Sequence, residues 1–170
     1  MIQKKPIEII IDTREQTPFL FLNCVPKPKL TVKTLPTGDY SLGGHEDKIT
    51  IERKSISDLF GSCGKGRSRF QREIERMSSF QYAALIIEAD WLSILRAPPS
   101  RSKLNPKTIY SSAIAWSQRH GIHVWACPNR PFAEKTTFRM LERFFIDQSE
   151  GAGHVEGGLE SSSRGNSKPN

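Results

Sequence analysis

The sequence predicts an α/β domain built on a mixed sheet. Short β-branched runs alternate with segments whose apolar residues recur at helical spacing, in the order strands, helix, strand, helix, strand, helix. A Gly-Gly reversal between two early strand segments indicates an antiparallel hairpin within that sheet. The length of 170 residues corresponds to about one domain.

The first part of the chain predicts three or four strands. Residues 7–11 are nearly continuous in β-branched side chains, as in a buried strand, and residues 30–35 alternate more weakly. A Pro-Thr-Gly turn precedes residues 39–42, and a Gly-rich reversal separates them from the alternating residues 49–54. The last two segments are therefore expected to be the arms of the hairpin.

The apolar period changes to that of a helix after Ser55. Phe70, Ile74 and Met77 recur on one helical face. Three arginines fall on a different face of the same segment, namely Arg69, Arg72 and Arg76. The sequence therefore predicts a helix with one face that packs and one that is cationic.

The remainder of the body alternates strand and helix. Residues 82–89 and 122–126 have the pattern of strands. Between them, Asn105 as N-cap and Pro106 at the first helical position begin a helix. Residues 131–147 predict a closing helix that is rich in phenylalanine.

Residues 148–170 predict a disordered tail after a domain of residues 1–147. The tail contains five Gly, five Ser and almost no large apolar side chains, so burial cannot offset the entropy of ordering it. Its net charge is −1, and the whole chain carries +7, which leaves +8 on the domain. This basic balance favours an acidic partner.

Several classes of protein are not supported. No apolar run is long enough to cross a bilayer and no signal-peptide pattern is visible, so we expect no membrane partner and an intracellular location, in the cytoplasm or nucleoid of a prokaryote or a virus-infected cell, or in a eukaryotic nucleus. Cys24, Cys63 and Cys127 lack disulfide-framework or zinc-knuckle spacing. Gly64-Lys65 lacks the rest of a phosphate-loop pattern, so no nucleotide cofactor is expected.

Carboxylates and a lysine lie at the predicted strand ends. Asp12 and Glu15 follow the first strand, while Glu52 and Lys54 share one face of a later strand and the hairpin can carry Asp39 beside them. Mg²⁺ prefers carboxylate oxygens and keeps water and substrate phosphate as further ligands. The arrangement is typical of metal-assisted phosphodiester hydrolysis, with one or two ions. The alternative is a hairpin whose charged side chains only face solvent.

The motifs around these residues resemble the nuclease domain of the XPF family of structure-specific DNA endonucleases. Asp-Thr-Arg-Glu stands at 12–15, Gly-Asp at 38–39, and Glu-Arg-Lys at 52–54, followed after three residues by Asp58. The family's signature is Gly-Asp, a variable gap, Glu-Arg-Lys, three residues and Asp. The basic loop and helix start at 64–71 also resemble the family's segment after the signature.

The resemblance covers residues 7–147 and implies a restriction-endonuclease-like fold, with a central mixed β-sheet flanked by helices. It also implies cleavage of DNA near junctions between duplex and single strand, with Mg²⁺ or Mn²⁺. The implied metal ligands are Asp12, Glu15, Asp39 and Glu52. The implied catalytic residues are Asp12, Asp39, Glu52, Arg53, Lys54 and Asp58. An alternative for Asp58 is a helix N-terminal acid that interacts with the helix dipole.

Basic residues around the signature are expected to contact DNA phosphates without reading bases. They are Arg14, Lys65, Arg67, Arg69, Arg72 and Arg76. Arg14 could instead order the site. The alternative for the helix is a solvated face on which Arg72 or Arg76 pairs with Glu73 or Glu75.

Many family members carry a helix-hairpin-helix module after the nuclease domain, whereas only the predicted tail follows here. The chain therefore resembles a stand-alone nuclease domain that acts on branched or flapped DNA in repair, recombination or replication. Its partner would be a second copy, since family domains pair through their late helices, or a separate DNA-binding protein. Two alternatives stay open: a catalytically silent DNA-binding or scaffold subunit, and a restriction-type or RNA-directed nuclease of the same fold.

Overall fold

The computed structural model describes residues 6–156 and arranges them around a six-stranded sheet. The strands are β1 (Glu8–Ile11), β2 (Lys29–Val32), β3 (Tyr40–Leu42), β4 (Ile49–Lys54), β5 (Tyr82–Ile87) and β6 (His123–Ala126). The helices are α1 (Ile56–Cys63), α2 (Arg67–Met77), α3 (Trp91–Arg96), α4 (Pro106–His120) and α5 (Arg130–Glu156). Within residues 6–156, every helix is too short or too polar to reach across a bilayer.

The strand order in the sheet is β2-β1-β3-β4-β5-β6. Strand β3 pairs antiparallel with both β1 and β4, and the other neighbours pair in parallel. Strands β3 and β4 form the hairpin, and the parallel β4–β5 and β5–β6 pairings follow from helical crossovers, whereas β1 and β2 are joined by a loop without a helix. The predicted α/β class with a central mixed sheet is therefore confirmed.

Helices cover both faces of the sheet. On one face, Ile49 and Ile51 of β4 share a buried cluster with Phe138 of α5. On the other face, Leu85 of β5 shares a buried cluster with residues of α1, α2 and α4, such as Ile74. The alternation of strand side chains thus supplies two cores, and the domain has three layers.

Two helices were not predicted, and both are short. Helix α1 has eight residues, one of which is Gly61, and α3 has six residues, so neither shows a repeated apolar period. Their starts carry capping signals. Ser55 accepts a hydrogen bond from the Asp58 N–H, and Asp90 accepts one from the Ser93 N–H at 2.6 Å. Because Asp90 begins α3, strand β5 ends at Ile87 rather than at the predicted residue 89.

Helix α5 extends beyond the predicted domain boundary at Asp147. It continues through Glu156, and the Ser149 hydroxyl donates to the Phe145 carbonyl at 2.8 Å along the way. The rest of the predicted tail, residues 157–170, lies outside the described residues.

The phenylalanines of α5 divide between the core and the surface. Phe138 and Phe144 are buried, Phe145 is partly buried, and Phe132 is 52% exposed. The exposed ring lines a cavity of about 570 Å³ together with Trp125 of β6. Helix α5 therefore has one face that packs under the sheet and an aromatic face that remains open.

The turn before β3 requires glycine at position 38. Gly38 has φ +77°, and a Cβ there would lie 2.1 Å from the Thr50 hydroxyl oxygen. That hydroxyl is buried and donates to the Thr37 carbonyl at 3.0 Å, so it is not free to move away. We expect Gly38→Ala to lower the free energy of unfolding by at least about 2 kcal/mol in urea denaturation.

Gly44 is the matched control, because it also has a positive φ, +80°, but has no atom within 4 Å of a Cβ. Gly44→Ala is expected to lose only about 1 kcal/mol, the penalty of the left-handed backbone. Equal losses for the two variants would show that crowding at Gly38 is unimportant.

Candidate active site

The alternation of β4 divides the Glu-Arg-Lys motif between the two faces of the sheet. Ile49 and Ile51 point toward α5, so Glu52 points to the opposite face, where α1 and α2 pack. The Lys54 ammonium lies on that face too, 4.9 Å from the centroid of the Phe70 ring of α2. Arg53 points the other way and lies over the Phe19 ring.

Asp39 is held beside this motif by three backbone hydrogen bonds. Its N–H donates to the Ile51 carbonyl at 2.9 Å, and its carbonyl accepts from the Asp12 N–H at 2.8 Å. Its carboxylate accepts from the Arg53 N–H at 2.7 Å. The backbone thus fixes Asp39 between β1 and β4, as the hairpin predicted.

Asp39, Glu52 and Lys54 form what is called here the acid–lysine cluster. Glu52 is only 3% exposed. The Lys54 ammonium donates a short hydrogen bond to Glu52 Oε1. The cluster therefore places two carboxylates and one ammonium in a mostly dry site at the ends of β3 and β4.

The cluster contains two carboxylates and only one ammonium, and the pKa values of all three groups are shifted. Burial, with the negative charge of Asp39, raises the pKa of Glu52 well above its usual value, although Lys54 opposes the rise. Burial also raises the pKa of Asp39 to about 6. The hydrogen bond from the Arg53 N–H opposes this rise, and the negative charge of Glu15 adds to it. Burial lowers the pKa of Lys54, but the charge and hydrogen bond of Glu52 together with the charges of Glu73 and Asp39 outweigh it, and the net shift is upward. A cation bound here would be stabilised.

Asp12 uses its carboxylate to order the loop that follows β1. It accepts from the Arg14 N–H at 2.8 Å, from the Arg14 guanidinium at 2.7 and 3.0 Å, and from the Leu35 N–H at 2.7 Å. Burial opposes ionisation, but these donors together lower the pKa of Asp12. Arg14 also donates to the Leu35 carbonyl at 2.9 Å, so it orders the site from its edge.

Glu15 and Arg53 begin a chain of ion pairs on the α5 side. Arg53 Nε lies 2.8 Å from Glu15 Oε2, and its Nη1 lies 3.0 Å from Glu88 Oε1. Glu88 also binds Arg130 Nη1 at 2.6 Å. Burial opposes the charge of Glu15, but the bonds from Arg53 outweigh it and lower the pKa of Glu15.

Glu88 and Arg130 are site residues that the sequence analysis missed. Glu88 follows β5, where it is one more carboxylate at a strand end. Arg130 opens α5, and a cation is unfavourable at a helix N-terminus unless a partner compensates it. Arg130 also donates to the Thr17 carbonyl at 2.5 Å and lies 4.8 Å from the Phe19 ring centroid. The unfavourable position of a cation at a helix start was the sequence signal that could have identified Arg130.

Comparison with known proteins identifies the family of this chain. Residues 11–140 match the ERCC4 domain. The chain belongs to the ERCC4 domain family. The resemblance to XPF-type nucleases that the motifs predicted is therefore confirmed, and the fold now has solved counterparts.

Two solved structures of XPF from Aeropyrum pernix have the fold of this ERCC4 domain. One covers 92% of this chain and 75% of its own, with a TM-score of 0.63 and 19% identity. The other is a complex with DNA; the match covers 84% of this chain and 66% of that one, with a TM-score of 0.58 and 21% identity. A Methanocaldococcus jannaschii protein, named as a candidate ATP-dependent RNA helicase, is 33% identical over 94 residues, which are 55% of this chain and 11% of that protein.

The four carboxylates predicted as metal ligands do not lie together in one site of this ERCC4 domain. Asp39 and Glu52 stand together in the acid–lysine cluster, whereas Asp12 binds Arg14 and Glu15 binds Arg53. Among the described residues, no three acidic, histidine or cysteine side chains are grouped closely enough to hold a metal ion. The structure thus offers a pair of carboxylates for a metal rather than a set of four.

Asp58 lies at the start of α1 and is exposed. Its carboxylate accepts from the Ser55 hydroxyl at 2.6 Å, and its N–H donates back to the same hydroxyl oxygen. This geometry agrees with the alternative reading of Asp58 as an acid at a helix N-terminus.

The basic residues predicted to contact DNA beyond the signature are all exposed, and within residues 6–150 none forms an ion pair. They are Lys65, Arg67, Arg69, Arg72 and Arg76. The alternative pairing of Arg72 or Arg76 with Glu73 or Glu75 is therefore absent from the structure. Glu75 accepts instead from Gln71 at 3.2 Å, and the charge of Glu73 contributes to the raised pKa of Lys54.

The raised pKa of Asp39 predicts how stability depends on pH in the metal-free ERCC4 domain. A carboxyl whose pKa is near 6 when folded binds its proton more tightly in the folded state, so its contribution to stability falls as the pH rises from about 4 to 6. We expect Asp39→Asn to be the more stable protein at pH 7, by up to about 3 kcal/mol. Urea denaturation at pH 4 and pH 7 measures this, and a constant difference between the two proteins would contradict it.

The ion-pair chain predicts that Arg53 cannot be replaced by lysine. Arg53→Lys keeps the charge but cannot bridge Glu15 and Glu88 together, so we expect a loss of about 3 kcal/mol in the free energy of unfolding. Arg143→Lys is the control, because Arg143 pairs with Asp147 on the surface and the change is expected to cost less than about 0.5 kcal/mol. Similar losses in thermal or urea denaturation would contradict the role given to Arg53.

Proposed function

We propose that this ERCC4 domain is a Mg²⁺- or Mn²⁺-dependent DNA endonuclease that hydrolyses phosphodiester bonds near junctions between duplex and single-stranded DNA. The observation that carries the proposal is the acid–lysine cluster. A folded domain gains no stability from two desolvated carboxylates that repel each other, so the cluster is better explained by a cation and an anionic substrate.

The residues of the cluster fit a divalent cation. Mg²⁺ is commonly bound by one or two carboxylates, with water and substrate phosphate as its other ligands, so Asp39 and Glu52 are sufficient protein ligands. Their raised pKa values, caused first by burial, support the proposal, because a bound cation would stabilise both carboxylates in the charged form. Bound at these two carboxylates, the ion would supply Lewis-acid stabilisation of the phosphate and lower the pKa of water.

Lys54 provides the fixed positive charge of the site. Its ammonium is held against Glu52 and over the Phe70 ring, so its position is set before substrate binds. It remains charged at neutral pH because the charge of Glu52 raises its pKa against the effect of burial. In the proposed reaction Lys54 donates a hydrogen bond to the scissile phosphate and offsets the negative charge that develops there.

The proposed DNA substrate is supported by charge and by the relative in complex with DNA. The arginines of α2 project from the helix that also carries Phe70, the ring under Lys54. Phosphates that follow this helix would therefore be led to the cluster. Such contacts give affinity without base recognition.

The biological setting is part of the proposal. We infer action on flapped, forked or branched DNA in repair, recombination or replication, inside the cell. The open aromatic face formed by Phe132 and Trp125 is the surface that a second copy of the domain would use. Pairing of this kind is what the motif resemblance implies for the late helices.

The test is cleavage of end-labelled forked, flapped and linear DNA with Mg²⁺ or Mn²⁺, beside a chelator control. We expect cutting near the junction that Glu52→Gln and Asp39→Asn each reduce by at least roughly 100-fold. Asp47→Asn, an exposed carboxylate in the hairpin loop, is the matched control and should cut as the parent does.

Each alternative function has its own outcome in the same experiment. DNA binding without cutting, unaffected by either substitution in the cluster, would favour the silent scaffold. Faster cutting of RNA or of unbranched duplex would favour the RNA-directed or restriction-type nuclease and would overturn the structure-specific proposal.

A further inference from the structure

A second basic surface lies along α1, beyond the acid–lysine cluster in sequence. It is a groove of about 660 Å³ between α1 with its following loop and the segment that joins α3 to α4. We call it the basic groove. Its lining includes Ser57, Phe60, Lys65, Arg101, Lys103 and Leu104.

The basic groove continues toward α4. A neighbouring cavity of about 370 Å³ is lined by Arg67 and Lys107, with the hydroxyls of Thr108 and Ser111. Arg67 and Lys107 are close in sequence to Lys65 and Leu104, which line the groove itself. The two linings therefore follow one another along the chain on both sides, and we call the pair of cavities the track.

The charges of this track are uncompensated. It carries five cations, and no carboxylate lines either cavity; the cations are Lys65, Arg67, Arg101, Lys103 and Lys107. Within residues 6–150 none of the five forms an ion pair. Near the active site, by contrast, Arg53, Lys54 and Arg130 are each paired. An occupant of the track must therefore be an anion with several charges.

The placement of charge in the groove suits a single strand. Cations stand on both walls, with Lys65 on one side and Arg101 and Lys103 on the other. A strand that lies between these walls can place its phosphates near the cations of both. Leu104, which is partly exposed, adds apolar surface against which an unpaired base can pack.

The groove lies close to the acid–lysine cluster. Lys54 ends β4, Ser55 caps α1, and Ser57 already lines the groove. Cys63, at the far end of α1, is within electrostatic reach of both Lys54 and Arg67. A strand that leaves the cluster along α1 would therefore enter the groove directly.

We propose that the basic groove binds the single-stranded arm of the DNA substrate. The inference rests on the proposed nuclease function and adds where the unpaired strand lies. Three of the five cations, Arg101, Lys103 and Lys107, belong to no motif in the sequence and come from a segment remote from the signature. The structure alone brings them to Lys65 and Arg67.

The test measures binding of a labelled oligothymidylate by fluorescence anisotropy, with chelator present so that nothing is cut. The triple variant Arg101→Ala, Lys103→Ala, Lys107→Ala is expected to weaken binding at least 10-fold at low salt and to reduce the slope of log affinity against log salt by about 2, at about 0.7 per lost phosphate contact on a single strand. The charge-preserving variant Arg101→Lys, Lys103→Arg, Lys107→Arg should retain the parent slope.

The matched control removes the same charges from elsewhere on the surface, as Lys27→Ala, Lys48→Ala, Arg119→Ala. These residues form no ion pair within the described part of the chain and lie outside both cavities. Equal losses in the two triple variants would overturn the inference, since net charge alone would then explain binding. An equal loss for a duplex of the same length would overturn the assignment to a single strand.

Failure of this inference and failure of the proposed function give different results. If the parent cuts forked DNA and the groove variant binds oligothymidylate as the parent does, the groove inference is wrong and the nuclease stands. If the parent cuts no DNA, and the groove variant loses binding of oligothymidylate while the control variant keeps it, the nuclease proposal is wrong and the groove remains a single-strand site. Circular dichroism of each variant confirms that it is folded.

Discussion

The register of β4 is the constraint on which the site depends. Because Ile49 and Ile51 must face α5, the next residues alternate, and Glu52 with Lys54 are placed opposite Arg53. One side then receives the acid–lysine cluster and the other an ion-pair chain. A shift of one residue would exchange both sets and would bury charges in the cores, so the hydrophobic pattern that stabilises the sheet also orders the chemistry.

The two sides of β4 differ in how far their buried carboxylates are compensated by cations. On the α5 side, Glu15 and Glu88 are each bound by arginine, and burial is compensated. In the acid–lysine cluster, two carboxylates share one ammonium, and their pKa values rise. Buried charge that is only partly compensated destabilises a folded protein, so it persists where a bound ion or substrate relieves it. This contrast is the reason why we propose the cluster, and not the ion-pair chain, as the place for chemistry.

Local patterns predicted what depends on local geometry. Alternation placed Glu52 and Lys54 on one face, and the hairpin brought Asp39 to them, as the structure has it. Helix α3 was missed because six residues show no period. The partners of Asp12 and Glu15, and the positions of Glu88 and Arg130, depend on packing between segments distant in sequence, which no spacing rule reports. The same holds for the convergence of cations on the basic groove.

The central claim is that the acid–lysine cluster binds a divalent cation through Asp39 and Glu52. Calorimetric titration of the metal-free domain with Mn²⁺ at pH 6, in two buffers of different ionisation enthalpy, measures the protons released on binding. Because the pKa of Asp39 is near 6, the account predicts proton release with binding, and the loss of both in the Asp39→Asn, Glu52→Gln double variant. Binding without proton release, or equal binding by the double variant, would contradict it.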